Sequence, residues 1–400
     1  MHSLCIQCRG KGWCGTSCSI IAKFKDKAPK VKLHFSGSSP PEIFVGRVNY
    51  PNVFSGILAP NQHGETQSMA SPEEWIEQDL SIEQILELRG SMVYARSQSN
   101  IRSPKSLKST TQDLALSHKP VSTEFFLRKK PKLEFSPSKA FSLMANPAPL
   151  KMARLEENPT IHKKVDYLTS DYDVKASTAL QELYKSNIQT SHLQKLLSTG
   201  LLGVKINRKM TPTRWSITAV DDTLSKFLLE KIRYYQELQE IQLFHEDYNG
   251  NHFEVLLLPS FFEFEVIETS VKGNFWNPKP YSILSQDYEG FSGRKAYAKN
   301  ITGAYYTDRL AVSEYLEKIK RQASVLLLHE ERPEYYAPLG VGIIREALRR
   351  GFKKQPEKFQ SLYKALETIG QRTTIPIGRY KQKSWLLDHY GKQTRLTKWF

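Results

Sequence analysis

Beyond Cys18 the chain has no cysteine, so whatever its thiols do is confined to the N-terminus. No apolar run approaches the ~20 residues that cross a bilayer, which argues against a membrane span. One of the longest, Val255–Leu258, sits among strand-like neighbours. The N-terminus carries cysteine, glycine and lysine where a secretory signal needs an apolar stretch, so the expected location is cytoplasmic. Familiar catalytic strings are missing as well. There is no Walker A loop, H-E-x-x-H helix, nucleophile elbow or dinucleotide-binding G-x-G-x-x-G. The ten histidines are scattered without close metal spacing along the chain.

What is there is a 400-residue chain, 40% hydrophobic and 24% charged, the balance of an ordinary globular protein with two or three domains. Its net charge of +16 is unevenly placed. Residues 343–400 hold fourteen Lys/Arg against four Asp/Glu, and residues 97–140 hold nine against three. Concentrated basic surface is the footprint of phosphate-backbone binding, so DNA is an expected partner. A basic but partnerless surface is the plain alternative.

All four cysteines fall in one short stretch, Cys5-x2-Cys8-x5-Cys14-x3-Cys18, with Gly10, Gly12 and Gly15 between them. Four thiolates on tight glycine-bearing loops make a tetrahedral ligand set for zinc, which predicts a small N-terminal zinc-binding module. The same four thiolates suit an iron–sulfur cluster, the less favoured cofactor, and two disulfides are the structural alternative.

The last eight residues place Gln393, Leu396, Trp399 and Phe400 at relative positions 1, 4, 7 and 8. Residues three and four apart share a helical face, so Leu396, Trp399 and Phe400 can form one apolar plug beside the Gln393 amide. The pattern resembles the peptide by which replication and repair proteins dock on the PCNA sliding clamp. Lys392, Arg395 and Lys398 would suit an acidic rim on that partner. A terminal turn folded onto its own domain is the competing reading.

The interior reads as α+β, mixed helices with an antiparallel sheet. Ser71-Pro-Glu-Glu74 and Ser81 with Gln84 are helix starts. Residues 174–202 look helical, broken near Asn187 and ended by Gly200, and Asp221 or Asp222 caps a long helix running through Leu238. The Asn249-Gly250 pair between apolar runs predicts a hairpin inside a three-stranded antiparallel unit ending at Ile267. Helices at Asp308–Ala323 and Gly342–Phe352 flank a strand at Ser324–His329.

Candidate DNA contacts are Arg47 in a Gly-flanked turn, Arg214 with Trp215 to grip a phosphate and stack on a base, and Arg345, Arg349 and Arg350 on one helical face. Against this, the reading in which Trp215 and Ile217 are core and Asp221 is a helix cap is slightly favoured. Glu263 and Glu265 alternate onto one face of a strand, either solvated or holding a metal. Asp166 with Asp173-Val-Lys175 faintly matches a metal-dependent nuclease, on a stretch that looks helical.

Several stretches resemble the archaeal Nre family of DNA-repair proteins. They are Cys5-Ile-Gln-Cys8-Arg-Gly with Cys14-Gly, Pro41-Glu-Ile-Phe-Val-Gly-Arg47 followed by Tyr50-Pro, Pro212-Thr-Arg-Trp-Ser-Ile-Thr-Ala-Val-Asp221, Pro338-Leu-Gly340 and the terminal peptide. The resemblance implies an N-terminal Nre-like domain to about residue 280 and a C-terminal one after it. The expected organisation is then a zinc module at 1–22, domains at 23–280 and 281–385, and a tail at 386–400. It also implies repair of DNA damage through the clamp, without naming a reaction. A clamp-tethered enzyme acting on damaged DNA or a nucleotide is the alternative, and catalytic residues are not identified.

Overall fold

A computed structural model describes residues 27–102, 106–131, 145–274, 277 and 279–392. The cysteine cluster and the Gln393–Phe400 peptide lie outside the described residues. The fold is α+β, with two six-stranded sheets and, among the described residues, twelve α-helices. Two compact units divide the described chain. One holds residues 27–224 with 337–343, the other 225–336 with 344–392.

The first unit contains strands β1 (His34–Ser39), β2 (Ile43–Val45), β3 (Asn52–Pro60), β4 (Met92–Asn100), β5 (Val121–Leu127) and β6 (Asn146–Leu155). Their order is β1-β5-β6-β4-β3-β2, antiparallel throughout except for the parallel β4–β6 pair. Helices α1 (Pro72–Glu77) and α2 (Ile82–Gly90) begin where the sequence predicts. The Ser71 hydroxyl accepts the Glu74 N–H, and Ser81 with Gln84 forms a reciprocal capping box that satisfies two otherwise orphaned donors. Helix α3 (Ser106–Leu116) follows, then α4 (Lys163–Ser170), α5 (Ala176–Lys185) and α6 (Thr190–Ser198). The break at Asn187 and the stop at Gly200 are as expected, both residues having positive φ. One core packs Val53, Ile57, Ala95, Leu114, Phe125 and Leu150, and a smaller one packs Leu58, Met69, Met92 and Tyr94.

The long helix α7 (Thr213–Ile232) starts eight residues before the predicted cap. Asp221 lies inside it, fully buried, and accepts a hydrogen bond from Gln194 Nε2 at 3.2 Å. The helix ends at Ile232, six residues short of Leu238.

The second unit is built on β7 (Ile241–Tyr248), β8 (Asn251–Leu258), β9 (Glu263–Ser270), β10 (Ile283–Glu289), β11 (Ser324–Glu331) and β12 (Glu357–Phe359). Its order is β10-β9-β11-β8-β7-β12. The predicted β7–β8 hairpin is present, turning at Asn249 and Gly250 with φ of 52° and 78°. The three-stranded antiparallel unit is not. Strand β11 inserts between β8 and β9, antiparallel to the former and parallel to the latter, so this sheet too is mixed. Burial fits the insertion, because every residue of β8 and all but the last of β11 are buried, as in strands covered on both faces.

Helices cover both faces of this sheet. On one side Leu243, Leu256, Ile267 and Leu328 pack with residues of α10 (Leu362–Arg372), α11 (Ile377–Lys383) and α12 (Trp385–His389). On the other, Phe244 meets Tyr315 of α8 (Gly303–Ile319) and Phe352, just beyond α9 (Gly342–Gly351), at ring distances of 4.8 and 5.0 Å. No helix among the described residues is long and apolar enough to cross a membrane.

Candidate nucleic-acid surface and histidine–carboxylate cluster

The Pro212–Asp221 block divides between surface and core. Pro212 O accepts the N–H groups of Trp215 and Ser216 and so opens α7. Thr213 fixes the helix start, its Oγ1 accepting the Val45 N–H at 2.9 Å and lying 3.3 Å from Ser198 Oγ. Ser216, Val220 and Asp221 turn inward. Trp215 turns outward: it is 44% exposed, against the core reading, and leans on Tyr50, itself 41% exposed. Their ring centroids are 5.1 Å apart and tilted by 54°.

Tyr50 belongs to the turn between β2 and β3, where Arg47 and Val48 are also exposed. Arg214, next to Trp215, is exposed as well. On the same hairpin Phe54 is part-exposed beneath the Arg96 guanidinium, 4.5 Å from its ring centroid. Solvent-facing aromatic rings among guanidinium groups are what single-stranded nucleic acid needs, since bases stack on the rings and phosphates meet the cations.

The three arginines of α9 do not form an exposed phosphate face. Arg345 is fully buried, with Nε 3.1 Å from Glu346 Oε1. Arg349 makes a two-pronged pair with Glu314 at 2.6 and 2.7 Å and also meets Glu346 at 2.8 Å. Arg350 pairs with Glu246 at 2.7 Å and lies over the Tyr248 ring. Bidentate guanidinium–carboxylate geometry of this kind fixes a helix to its neighbours.

Glu265 is neither solvated nor a metal ligand. It is fully buried, and its carboxylate accepts the Ser384 hydroxyl (2.5 Å) and the N–H groups of Trp385 (2.8 Å) and Leu386 (3.0 Å). Gln286 Nε2 donates to it from β10. A negative group at the start of α12 satisfies donors that the helix leaves open. Glu330 does the same for the residues after α10, accepting the N–H groups of Thr374 and Ile375 and the Tyr380 hydroxyl. Of the faint nuclease pattern, Asp166 lies in the first turn of α4, while Asp173 and Lys175 lie in the link before α5, so none of the three is on a strand.

Among the described residues, metal-type donors gather around the β7–β8 turn, where four residues meet. Hairpin register sets His245 opposite Glu254 and Asp247 opposite His252. Strand alternation then puts all four on one face. His245 Nδ1 is 3.1 Å from Glu254 Oε1, and His252 Nε2 is 3.4 Å from the same oxygen. On the other side of the rings, Asp247 Oδ2 is 2.7 Å from His252 Nδ1 and 3.8 Å from His245 Nε2. His252 and Glu254 are buried, while His245 and Asp247 are 34% and 45% exposed. Arg332 approaches Asp247, and Arg372 approaches Glu254, each at 3.6 Å.

Electrostatics tighten this group. Burial disfavours charge on Glu254, but hydrogen bonds from His245 and His252 outweigh it and hold the carboxyl below its ordinary range. Asp247 is lowered in the same way: burial opposes, while His252, Arg332 and His245 prevail. For His252 burial favours the neutral ring, yet its bonds to Asp247 and Glu254 raise it overall. Inspection of histidine spacing along the chain misses these residues. The signal was the Asn249-Gly250 turn, which fixes what faces what across the two strands.

A two-unit α+β protein with an aromatic–arginine surface on one unit and a histidine–carboxylate cluster on the other is the class these observations define. The sequence belongs to the archaeal Nre family: the profile described as "Archaeal Nre, N-terminal" matches residues 13–277, and "Archaeal Nre, C-terminal" matches residues 289–399. Among its relatives is "DNA repair protein NreB" of Archaeoglobus fulgidus, 35% identical across 98% of both chains. "DNA repair protein NreA" of the same organism is 36% identical over 99% of this chain and 98% of that protein. The Haloferax volcanii "DNA repair protein NreA" is 33% identical over 87% of this chain and 85% of its own length. No solved structure matches the chain.

Proposed function

We propose that this protein is a DNA-repair factor that meets DNA through the Arg47, Tyr50, Arg214 and Trp215 surface and is recruited to the PCNA sliding clamp by Gln393, Leu396, Trp399 and Phe400. The observation that carries the DNA reading is the solvent-open Tyr50–Trp215 pair flanked by two exposed arginines. Near-full-length similarity to proteins named for DNA repair supports it. The clamp reading rests on the terminal octapeptide alone. Short peptides of that kind bind through a few buried anchors, each worth about 1.5–3 kcal/mol.

Calorimetry of the full chain against PCNA, with wild type and the Leu396→Ala/Phe400→Ala variant, tests the recruitment. Equal affinities for the two proteins would end the clamp reading. Fluorescence anisotropy with single-stranded and duplex DNA tests the surface.

Cys5, Cys8, Cys14 and Cys18 are proposed to hold one zinc ion in an N-terminal module of residues 1–22, ahead of Nre-like domains at 23–280 and 281–385 and a tail at 386–400. Elemental analysis decides this, and visible iron–sulfur absorbance would replace zinc with a cluster. A cytoplasmic location accompanies the reading. The second reading, a clamp-tethered enzyme on damaged DNA or a nucleotide, draws its support from the His245–Asp247–His252–Glu254 cluster. A panel of lesion-bearing and normal DNA substrates with added metals, scored for covalent change, separates the two.

A further inference from the structure

We infer that His245, Asp247 and His252 form a binding site for one divalent first-row transition-metal ion, with Glu254 orienting both imidazoles. The site is separate from the four-cysteine cluster and does not depend on the DNA-repair reading.

The argument starts from the two nitrogens of each ring. A neutral imidazole has one N–H and one lone pair, and the partner of the N–H decides where the lone pair points. Glu254 Oε1 is hydrogen-bonded to His245 Nδ1 at 3.1 Å and lies 3.4 Å from His252 Nε2, which itself makes no hydrogen bond. The lone pair of His245 is then left on Nε2, 3.8 Å from Asp247 Oδ2, while His252 Nδ1 donates to that same oxygen at 2.7 Å, a proton whose place a metal ion would take. The three atoms converge within 4.8 Å of one another. Metal-binding histidines characteristically donate their other N–H to a carboxylate, which fixes the tautomer and the ring plane. Glu254 is placed to do that for two ligands at once.

The two distances to Asp247 bracket what the chemistry asks, and the three donors, within 4.8 Å of one another, would draw closer around an ion. Metal–nitrogen and metal–oxygen bonds of about 2.0–2.1 Å in a tetrahedron separate neighbouring ligand atoms by roughly 3.3 Å. The observed Asp247–His252 and Asp247–His245 separations, 2.7 and 3.8 Å, straddle that value. Two imidazoles with one carboxylate suit zinc, iron, cobalt or manganese better than magnesium or calcium, which prefer all-oxygen sets. Access is one-sided. His252 and Glu254 are closed off, whereas His245 and Asp247 open to solvent, so the remaining coordination positions would take water or another oxygen ligand. His252 Nε2 is buried without a hydrogen-bond partner 3.4 Å from Glu254 Oε1, and a metal ion on Nδ1 would put the ring's N–H there, where Glu254 can accept it.

The test is Co²⁺ titration of the chelator-stripped full chain, read by visible absorption and by metal analysis. Thiolate-bound cobalt gives an intense sulfur-to-metal charge-transfer band, and cobalt held by nitrogen and oxygen does not. Wild type should bind one equivalent that adds ligand-field absorption without the thiolate band. Asp247→Asn should lose that equivalent and keep any thiolate-bound one. Asp247 is 45% exposed, so this change spares the core. Glu254→Gln should keep the stoichiometry but weaken cobalt binding about 10–100-fold, as loss of an orienting partner does. Circular dichroism confirms that each variant is folded. The site is refuted if every cobalt ion bound by wild type shows the thiolate band, or if the nitrogen–oxygen equivalent survives unchanged in folded Asp247→Asn.

Discussion

Trp215 rests against Tyr50 with ring centroids 5.1 Å apart, both rings open to solvent, because Thr213 ties the first turn of α7 to the end of β2. Stacking of one base on an aromatic ring is worth about 1–3 kcal/mol, a factor of roughly 5 to 150 in affinity. Trp215→Ala should weaken single-stranded DNA binding within that range and leave the melting temperature nearly unchanged. Arg47→Ala and Arg214→Ala should each weaken binding regardless of base sequence and lower the slope of affinity against salt by about 1. Anisotropy titrations at several salt concentrations read both effects.

Glu265 holds three donors at the start of α12 from a fully buried position. Glu265→Ala leaves those donors without their charged acceptor, at a cost of about 3 kcal/mol. Chemical denaturation should show that loss. Hydrogen exchange should localise it to residues 384–390 first, since hydrogen bonds to Glu265 cover the amides of Trp385 and Leu386.

Glu42 makes one part of the pH dependence predictable. Burial is the dominant influence on its carboxyl and pushes it up to about 7; Glu73 adds to the rise, while Lys195 at 3.8 Å and Arg89 offset part of it. The folded state therefore holds this proton more tightly than the unfolded chain, whose ordinary value is 4.5. The stability this proton contributes is intact below about 4.5, falls as pH rises towards about 7, and is level above it. Glu42→Gln should flatten this segment, so the wild-type-minus-variant difference in unfolding free energy should decline between those two pH values. A constant difference would contradict the assignment.

Gly250 sits at φ +78°, and a Cβ placed there would lie 2.4 Å from the backbone nitrogen of Tyr335. Gly250→Ala should therefore destabilise the protein by at least about 2 kcal/mol, combining left-handed strain with a clash against main chain. Because this turn sets the pairing of His245 with Glu254, the same variant should also weaken Co²⁺ binding at the histidine–carboxylate group.

Local chemistry was legible wherever one or two side chains decide the outcome. Ser71 and Ser81 announce their helices because each hydroxyl answers a nearby N–H, and Asn249-Gly250 announces its turn because both residues accept positive φ. The insertion of β11 was not legible. Its parallel pairing with β9 brings together residues about 60 apart, and nothing local to either strand encodes it. The arginines of α9 misled for a related reason, since a basic helical face in sequence does not reveal that Glu314 and Glu246 arrive from other elements to meet Arg349 and Arg350. Trp215 went against its hydrophobicity because Thr213, two positions earlier, sets which side of the first turn faces inward. The four residues of the candidate metal site were within reach once the hairpin was accepted, as its register follows from the two-residue turn.

Glu265 has a mechanical meaning as well as a structural one. The last described segment, α12 and the residues to Lys392, leads directly into the residues proposed to hold the clamp. Tension applied there would meet a carboxylate rooted in β9, a strand braced on both sides by β10 and β11. Ser384, Trp385 and Leu386 share that one anchor, so they would let go together, and the terminus would behave as a latch with a threshold and not as a spring that yields residue by residue.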